Sequence, residues 1–362
     1  MKVNVAVIRG DGIGSDCINS ALAVMEKALL LSRLPKPDYI DINAGAQYFA
    51  ETGFDIEKGG EEAAGQADAI FLGAIGLPAI RHLDGTEISP HLRLRDKFGL
   101  YAGVRPVRAY PNTPRKLAAP EASSIDLVLI RESTEGLFYS AAVHGRSRVD
   151  GDNLVEEILR ITRSTSEKLH RFAFRLAEKR KYLGRGHKVT CVDKANVFTA
   201  FAFFRKIFDE IAADYPHIPH DYSYVDAMAL ELIRKPWEMG VLVTENMFGD
   251  ILSDLAAGLV GGMGMASCAE IGDENGLFQP AHGSAPDIMG QDKANPLATI
   301  LSAGLLLDYF ADKSGYKEYA EAAMRIERAV ENGFAQSDLR PMEFGGDMGT
   351  RAMTKAIIDH LS

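Results

Sequence analysis

The sequence predicts an α/β fold, and three observations carry that expectation. Short apolar runs that stop at a glycine or a charged residue recur along the chain, with longer stretches of helical periodicity between them. The 362 residues are 46% hydrophobic and 25% charged, as in an ordinary globular chain. That length exceeds one core of ~150 residues, so two lobes or one large α/β unit are expected.

The elements follow in order. Val3–Ile8 reads as a buried strand, closed by a tight turn at Gly10-Asp11-Gly12-Ile13-Gly14 and followed by a helix from Cys17 to Leu30. Ala67–Gly73, Leu100–Val107 and Ile125–Ile130 read as further strands, the last running straight into Arg131-Glu132. Glu156–Arg180 has helical spacing, with Ile158, Ile161, Leu169, Phe172 and Leu176 facing inward. Lys188–Asp193 is a strand ending on Lys194, and Asn196–Ala213 is helical. Tyr222–Asp226 and Val241–Glu245 are short strands, and Phe248–Val260 is a helix. Glu270–Asn295, rich in Gly, Pro and polar residues, reads as a long functional loop. Helices are expected over Pro296–Phe310, Tyr316–Asn332 and Arg351–Leu361. No flexible linker divides the chain, so the two lobes should exchange chain more than once.

Composition narrows the function. With 40 Lys+Arg against 50 Asp+Glu the net charge is −10, which provides no electrostatic footprint for nucleic acid and no polybasic stretch for an anionic membrane. A local arginine cluster can still receive a small anion. The 3 cysteines, Cys17, Cys191 and Cys268, lie far apart, which fits neither a disulfide framework nor a zinc site. The N-terminus reads as a strand rather than a signal peptide, and no transmembrane helix is expected. A reducing cytoplasm is the expected compartment.

Several constellations could carry chemistry. Asp250 and Asp254 stand i, i+4 on one helix face in an otherwise apolar segment where water should be scarce, and two unpaired carboxylates there call for a hard cation such as Mg²⁺ or Mn²⁺. The same pair could serve only the helix dipole. Asp226, at a strand end, could complete the metal site or cap the next helix. Arg93, Arg95, Arg105, Arg108 and Arg131 fall near expected strand ends, and several on one side would suit a dicarboxylate. Arg131 directly follows an apolar run and should approach the core. Lys194, directly after a strand, can be desolvated into a base or can snorkel to solvent. The alternating glycines at 10, 12 and 14 do not match the dinucleotide fingerprint, so a Rossmann fold is rejected. His282-Gly283-Ser284-Ala285-Pro286-Asp287-Ile288, followed by Asn295, could admit a ligand close to the backbone, with Asp287 accepting from ribose hydroxyls, or could be a plain irregular turn.

Together these residues resemble the β-decarboxylating dehydrogenases, which include 3-isopropylmalate, isocitrate, homoisocitrate and tartrate/D-malate dehydrogenases. The likeness runs nearly end to end: GDGIG at Gly10, LRLRDKFGLYAGVRP at Leu92–Pro106, RESTEG at Arg131, VDKANV at Val192, VDAMAL at Val225, ENMFGDILSDL at Glu245, HGSAPDI at His282, and GGDMGT near the C-terminus. The resemblance implies a two-lobed, isopropylmalate dehydrogenase-like, non-Rossmann α/β fold with a parallel or mixed sheet flanked by helices. Residues 1–100 and 256–362 would form a nucleotide-binding lobe, and 101–255 a substrate, metal and dimerisation lobe. It also implies a homodimer with shared active sites.

Residue by residue, Arg95, Arg105 and Arg131 would hold the carboxylates of a malate moiety. Asp250 and Asp254 would bind Mg²⁺ or Mn²⁺ with Asp226 of the partner subunit, K⁺ being a further ion to supply. Lys194 would be the base, also from the partner, with Asn196 in the same motif. His282, Gly283, Ser284, Ala285, Asp287, Ile288 and Asn295 would hold the nucleotide. Asp287-Ile288 resembles the NAD-using members, because a carboxylate there would repel a 2′-phosphate. The implied reaction removes the hydroxyl proton through Lys194 as hydride leaves C2, then releases CO₂ and protonates C3. The family's tyrosine acid would fall at position 138, where this chain has Phe138. Tyr139 is the adjacent hydroxyl and would serve only after a one-residue adjustment. Ser89 and His91 should face the substituent at C3 of the substrate. His91-Leu92 stands in place of the leucine pair of isopropylmalate enzymes, and His91 replaces the asparagine of isocitrate enzymes. A 3-alkylmalate, 3-isopropylmalate first, leads; tartrate or D-malate follows, then isocitrate or homoisocitrate. A non-catalytic regulatory subunit is the alternative of a different class.

Overall fold

The computed structural model describes residues 3–140 and 147–362. The chain runs β1 (Asn4–Ile8), α1 (Gly14–Leu31), β2 (Asp38–Asp41), α2 (Ala46–Thr52), α3 (Gly60–Gln66), β3 (Ala69–Leu72), α4 (Pro90–Lys97), β4 (Ala102–Arg108) and β5 (Asp126–Glu132). It continues β6 (Arg148–Asp150), β7 (Leu154–Glu156), α5 (Arg163–Tyr182), β8 (Val189–Asp193), α6 (Thr199–Ala212), β9 (His220–Tyr224), α7 (Val225–Arg234), β10 (Val241–Thr244) and α8 (Asn246–Leu259). It closes with β11 (Ser267–Ile271), β12 (Gly276–Pro280), α9 (Leu297–Ser314), α10 (Lys317–Ala335) and α11 (Thr350–His360).

One 10-stranded sheet takes the order β2-β1-β3-β12-β11-β4-β5-β10-β8-β9. Its pairs are parallel except β12–β11, β11–β4 and β4–β5. Interior parallel strands are covered on both faces, which is why β1, β3 and β10 are continuous apolar runs rather than alternating ones. The sheet changes provenance once. β1–β3, β11 and β12 come from residues before 73 and after 266, and β4, β5 and β8–β10 from between. The two groups join only at β11–β4, through Ala269↔Val104, Glu270↔Gly103 and Ile271↔Ala102.

Alternate residues of the strands enter different cores. On one face Val5, Val7, Val104, Val128, Val243 and Phe278 belong to a large cluster with α1, α5, α9 and α10. The other face carries two separate clusters, one around Ala6, Ile8, Ile70 and Leu277 and one around Leu127, Leu129, Leu242 and Leu252.

Several expectations are corrected. The helix read over Glu156–Arg180 starts at Arg163, capped by Thr162; Glu156 closes the exposed β6–β7 hairpin and Ile158 is 55% exposed. The strand read to Asp226 ends at Tyr224, and Asp226 lies in the first turn of α7. The region read as a loop over 270–295 contains β12, which pairs with both β11 and β3. Arg93 and Arg95 stand on α4 rather than at a strand end; Pro90 starts that helix, and its charged sequence hides the apolar period.

At Gly249 of α8, an added Cβ would meet Arg131 Cβ and Cγ at 2.7 Å and its Cα at 3.1 Å. The helix can lie on β5 only without a side chain there. Gly249→Ala is expected to cost about 1–3 kcal/mol by forcing α8 off the strand. A melting curve reads this, and an unchanged midpoint would contradict it.

Candidate active site

Arg105 and Arg131 project from the same face of β4 and β5, because Arg131 is paired with Gly103, two residues from Arg105. That face is the one opposite the large core, between the two smaller clusters. Arg95 reaches it from α4 and donates to the Ser133 carbonyl at 2.9 Å. All three side chains are buried. Glu270, fully buried on β11, accepts from Arg105 at 3.0 Å and lies 4.0 Å from Arg95. Burial alone would raise its carboxyl, but Arg95 and Arg105 hold it below the usual carboxylate range. A side chain at Gly103 would collide with Glu270 and Ser133, so glycine there leaves room for that carboxylate.

Arg131 donates through Nε and Nη2 to the Asn246 side-chain oxygen at 3.2 and 2.7 Å, and through Nη1 to Asp250. Burial, and then the charge of Arg95, pulls its pKa down to about 10. Phe138 lies against two of the guanidiniums, 5.6 Å from Arg95 and 5.8 Å from Arg131. Tyr139 instead has Arg160 over its ring at 4.0 Å. The residue facing the arginines is thus Phe138, and the adjustment that would put Tyr139 there is not made.

His91 enters the same cluster from the first turn of α4. Burial, and then the charge of Arg95, pushes its pKa down to about 4, so the ring is neutral at neutral pH. Its Nδ1, like Arg95 Nε and Arg105 Nε, is buried and finds no hydrogen-bond partner among the described residues. Buried polar atoms without partners are costly, and three of them belong to this one cluster. Ser89 precedes α4 at its N-cap without capping it through its side chain. The remaining two arginines belong elsewhere. Arg93 pairs with Asp55 and Glu61, and Arg108 with Glu327 and Glu331 on the other side of the sheet.

Asp250 and Asp254 share the outer face of α8, whose start Glu245 caps by accepting from Met247 and Phe248 N–H. The expectation of scarce water is corrected: both are exposed, Asp250 to 60%, because Leu252, Ser253 and Ala256 take the buried side of the helix. Partial desolvation against the helix surface, and then the charge of Asp250, raises the Asp254 carboxyl. Two oxygen donors that repel one another fit a hard divalent cation, which would relieve that repulsion. Asp226 does not join them within one chain. It is exposed, pairs with Lys194, and its carboxyl is lowered first by that hydrogen bond. No group of three His, Cys, Asp or Glu among the described residues is placed to hold a metal. Lys194 and the exposed Asn196 follow β8, at the same sheet edge as the ends of β5 and β10.

The His282–Asn295 segment leaves β12 and folds over the glycine turn after β1. Ile13 N–H donates to the Ser284 carbonyl at 2.8 Å, and an added Cβ at Gly12 would lie 2.0 Å from that oxygen. Ser284 donates to the Gly76 carbonyl. Ala285 takes a left-handed φ of 37°. Gly283 and Asp287 are exposed and Ile288 is half-buried. His282 Nε2 is buried and has no hydrogen-bond partner among the described residues, and burial lowers its pKa. Asn295 donates to Glu343 at 2.8 Å and accepts from Leu297 N–H, which ties the segment to the start of α9. Sequence reasoning missed the part α11 plays: Arg351 and Lys355 line a groove of about 590 Å³ with Asp16, Asn19 and Asp292 beside this segment. Their i, i+4 spacing was the available signal.

Comparison with known proteins gives the family of the chain. The isocitrate/isopropylmalate dehydrogenase family model matches residues 4–361. A 3-isopropylmalate/3-methylmalate dehydrogenase of Methanocaldococcus jannaschii is 40% identical, the match covering 98% of this chain and 97% of that protein. A homoisocitrate dehydrogenase of the same organism is 38% identical over 99% of this chain and 98% of that protein. Among solved structures, an isocitrate dehydrogenase from Methylococcus capsulatus superposes with a TM-score of 0.83 at 31% identity, covering 100% of this chain and 99% of that one. The chain therefore belongs to the isocitrate/isopropylmalate dehydrogenase family and is a β-decarboxylating dehydrogenase.

Proposed function

We propose that the protein oxidises and decarboxylates a (2R)-2-hydroxy acid of the 3-substituted malate type, using NAD⁺ and Mg²⁺ or Mn²⁺, as a homodimer. The observation that carries this reading is the cluster of three buried guanidiniums, Arg95, Arg105 and Arg131, of which Arg95 Nε and Arg105 Nε find no acceptor among the described residues, an arrangement suited to an anionic ligand. It supplies local positive charge in a chain of net charge −10.

The three arginines hold and orient the substrate carboxylates. Asp250 and Asp254 of one subunit, with the partner subunit's Asp226, would hold the divalent ion, and K⁺ belongs in the assay buffer. Bound NAD⁺ would supply the hydride acceptor and the ion a Lewis acid at the substrate oxygens. Lys194 from the partner takes the hydroxyl proton, with Asn196 beside it. Phe138 has no acidic proton, and Tyr139, which lies beneath Arg160, is proposed to return one to C3 on a one-residue adjustment when substrate binds. His282, Gly283, Ser284, Ala285, Asp287, Ile288 and Asn295 form the nucleotide loop, and Asp287 favours NAD⁺ over its 2′-phosphorylated form.

Two copies are needed in this reading because Lys194 and Asp226 pair with each other, not with Asp250 and Asp254. The surface around them exposes Val197, Phe198, Leu230, Ile233, Met247 and Ile251, an apolar area suited to a second copy. Residues 1–100 and 256–362 are assigned to one lobe and 101–255 to the other, in keeping with the single change of strand provenance at β11–β4. Cys17, Cys191 and Cys268 are buried free thiols, in keeping with a reducing cytoplasm. Among the described residues, no helix is long and apolar enough to cross a membrane.

3-Isopropylmalate is the first substrate reading, supported by the names of the relatives. Tartrate or D-malate is the second, favoured by the unpartnered Nδ1 of His91, which suits a polar group at C3. Isocitrate and homoisocitrate complete the panel. A regulatory subunit would be expected to lose some of Lys194, the aspartates or the arginines, and all are present.

The test is NADH absorbance with purified protein, NAD⁺, Mn²⁺, K⁺ and that panel; turnover of one member supports the reading, and silence across all would sink it. Asp250→Asn should abolish turnover together with its Mn²⁺ dependence, and wild-type rates would remove Asp250 from the ion site. His91→Leu should shift the ratio of kcat/KM toward 3-isopropylmalate over D-malate by about tenfold or more. An unchanged ratio would mean that His91 does not read C3.

A further inference from the structure

The other face of the central strands holds a cavity of about 270 Å³. Val104, Val128 and Ala269 form its floor, whereas their neighbours Arg105 and Glu270 face the arginine cluster. Phe172 and Leu176 of α5 form one wall, and Leu301 and Leu305 of α9 the other. The charges at the rim are paired with one another. Lys179 holds Asp308 at 2.8 Å, Arg185 holds Glu327 at 2.7 Å, and Arg180 holds Asp126 at 3.1 Å.

These features define the occupant. Paired rim charges offer nothing to an ionic ligand, and the floor and walls are apolar. An enclosed apolar cavity of ~150 Å³ takes benzene or xenon; this one is larger but open at its charged rim, with Phe172, Leu176, Leu301 and Leu305 half-buried. A Cβ added at Gly304 of α9 would make ordinary van der Waals contact with Ala323 and Ile326 of α10 at 3.9 Å, without a clash, so a larger side chain can enter from there.

The position matters as much as the chemistry. The floor includes the β11–β4 junction, through which the two groups of strands meet at three paired positions. The Lys179–Asp308 and Arg185–Glu327 pairs cross between the same two parts of the chain. The arginine cluster lies on the opposite face of these same strands, so the two places share the β11–β4 junction. We propose that this cavity is a second, non-catalytic binding site for a small uncharged apolar molecule, and that filling it favours closure of the arginine cleft. The coupling, though not the binding, rests on the two-lobe enzyme reading above.

The experiment uses toluene with the purified full-length protein, and xenon-pressurised crystals. Toluene binding measured by calorimetry and a xenon peak in the cavity are expected for the wild type; neither readout needs turnover, so failure of the enzyme reading leaves this test intact. Gly304→Leu and, as a second filling variant, Ala323→Leu should each weaken toluene binding by about tenfold or more. With the substrate identified by the panel, toluene should lower KM by about twofold or more, and the folded filling variant should do so without toluene. Absence of both toluene binding and a xenon peak in the wild type, or binding unaffected by both variants, would overturn the site. Binding with KM unchanged would overturn the coupling.

Discussion

Three guanidiniums are brought together on one face of a sheet, in a part of the molecule with too little negative charge to match them. Glu270 answers Arg105 and stands near Arg95, and Asp250 answers Arg131 from the edge of the solvent. Like charges this close are tolerable only where the fold holds them rigidly and a further anion is to come. Much of the local sequence serves that arrangement. Gly103 clears space for Glu270, Gly249 lets α8 lie on Arg131, and Phe138 presents a ring to Arg95 and Arg131 where a polar group would compete for their donors.

The same strands impose a two-sided design. Alternation along β4 and β11 sends Arg105 and Glu270 to the cleft and Val104 and Ala269 to the opposite side. The three-position β11–β4 junction is thus common to both faces, and it is the element through which the proposed coupling would act. The ionic contacts across that side, Lys179–Asp308 and Arg185–Glu327, are partly buried and so less screened by salt than exposed pairs.

The strands were the most legible part of the sequence because interior parallel strands are unbroken apolar runs. The arginines were legible as a set but not as individuals. Arg93 and Arg108 have the same local context as Arg95 and Arg105, and only tertiary partners assign them to ion pairs elsewhere. The α4 helix is hidden in the sequence because its charged residues show no apolar stripe. The exposure of Asp250 and Asp254 is not legible because an apolar segment does not reveal which helix side is covered. Asp226 reads as a strand end although its strand stops two residues earlier, a shift that puts it in a helix and changes its direction. Phe138 is legible as a departure from the family pattern. What the sequence did not disclose was that its ring takes the place beside the arginines while Tyr139 packs beneath Arg160.

The most direct test of the arginine-centred site is a crystal structure of the protein with Mn²⁺ and the hydroxy acid that it turns over best. The account predicts substrate carboxylates on Arg95, Arg105 and Arg131, and an ion held by Asp250 and Asp254 together with the partner subunit's Asp226 at about 2.1 Å, as for hard oxygen donors. A substrate bound away from those arginines, or an ion held without Asp250 and Asp254, would contradict it.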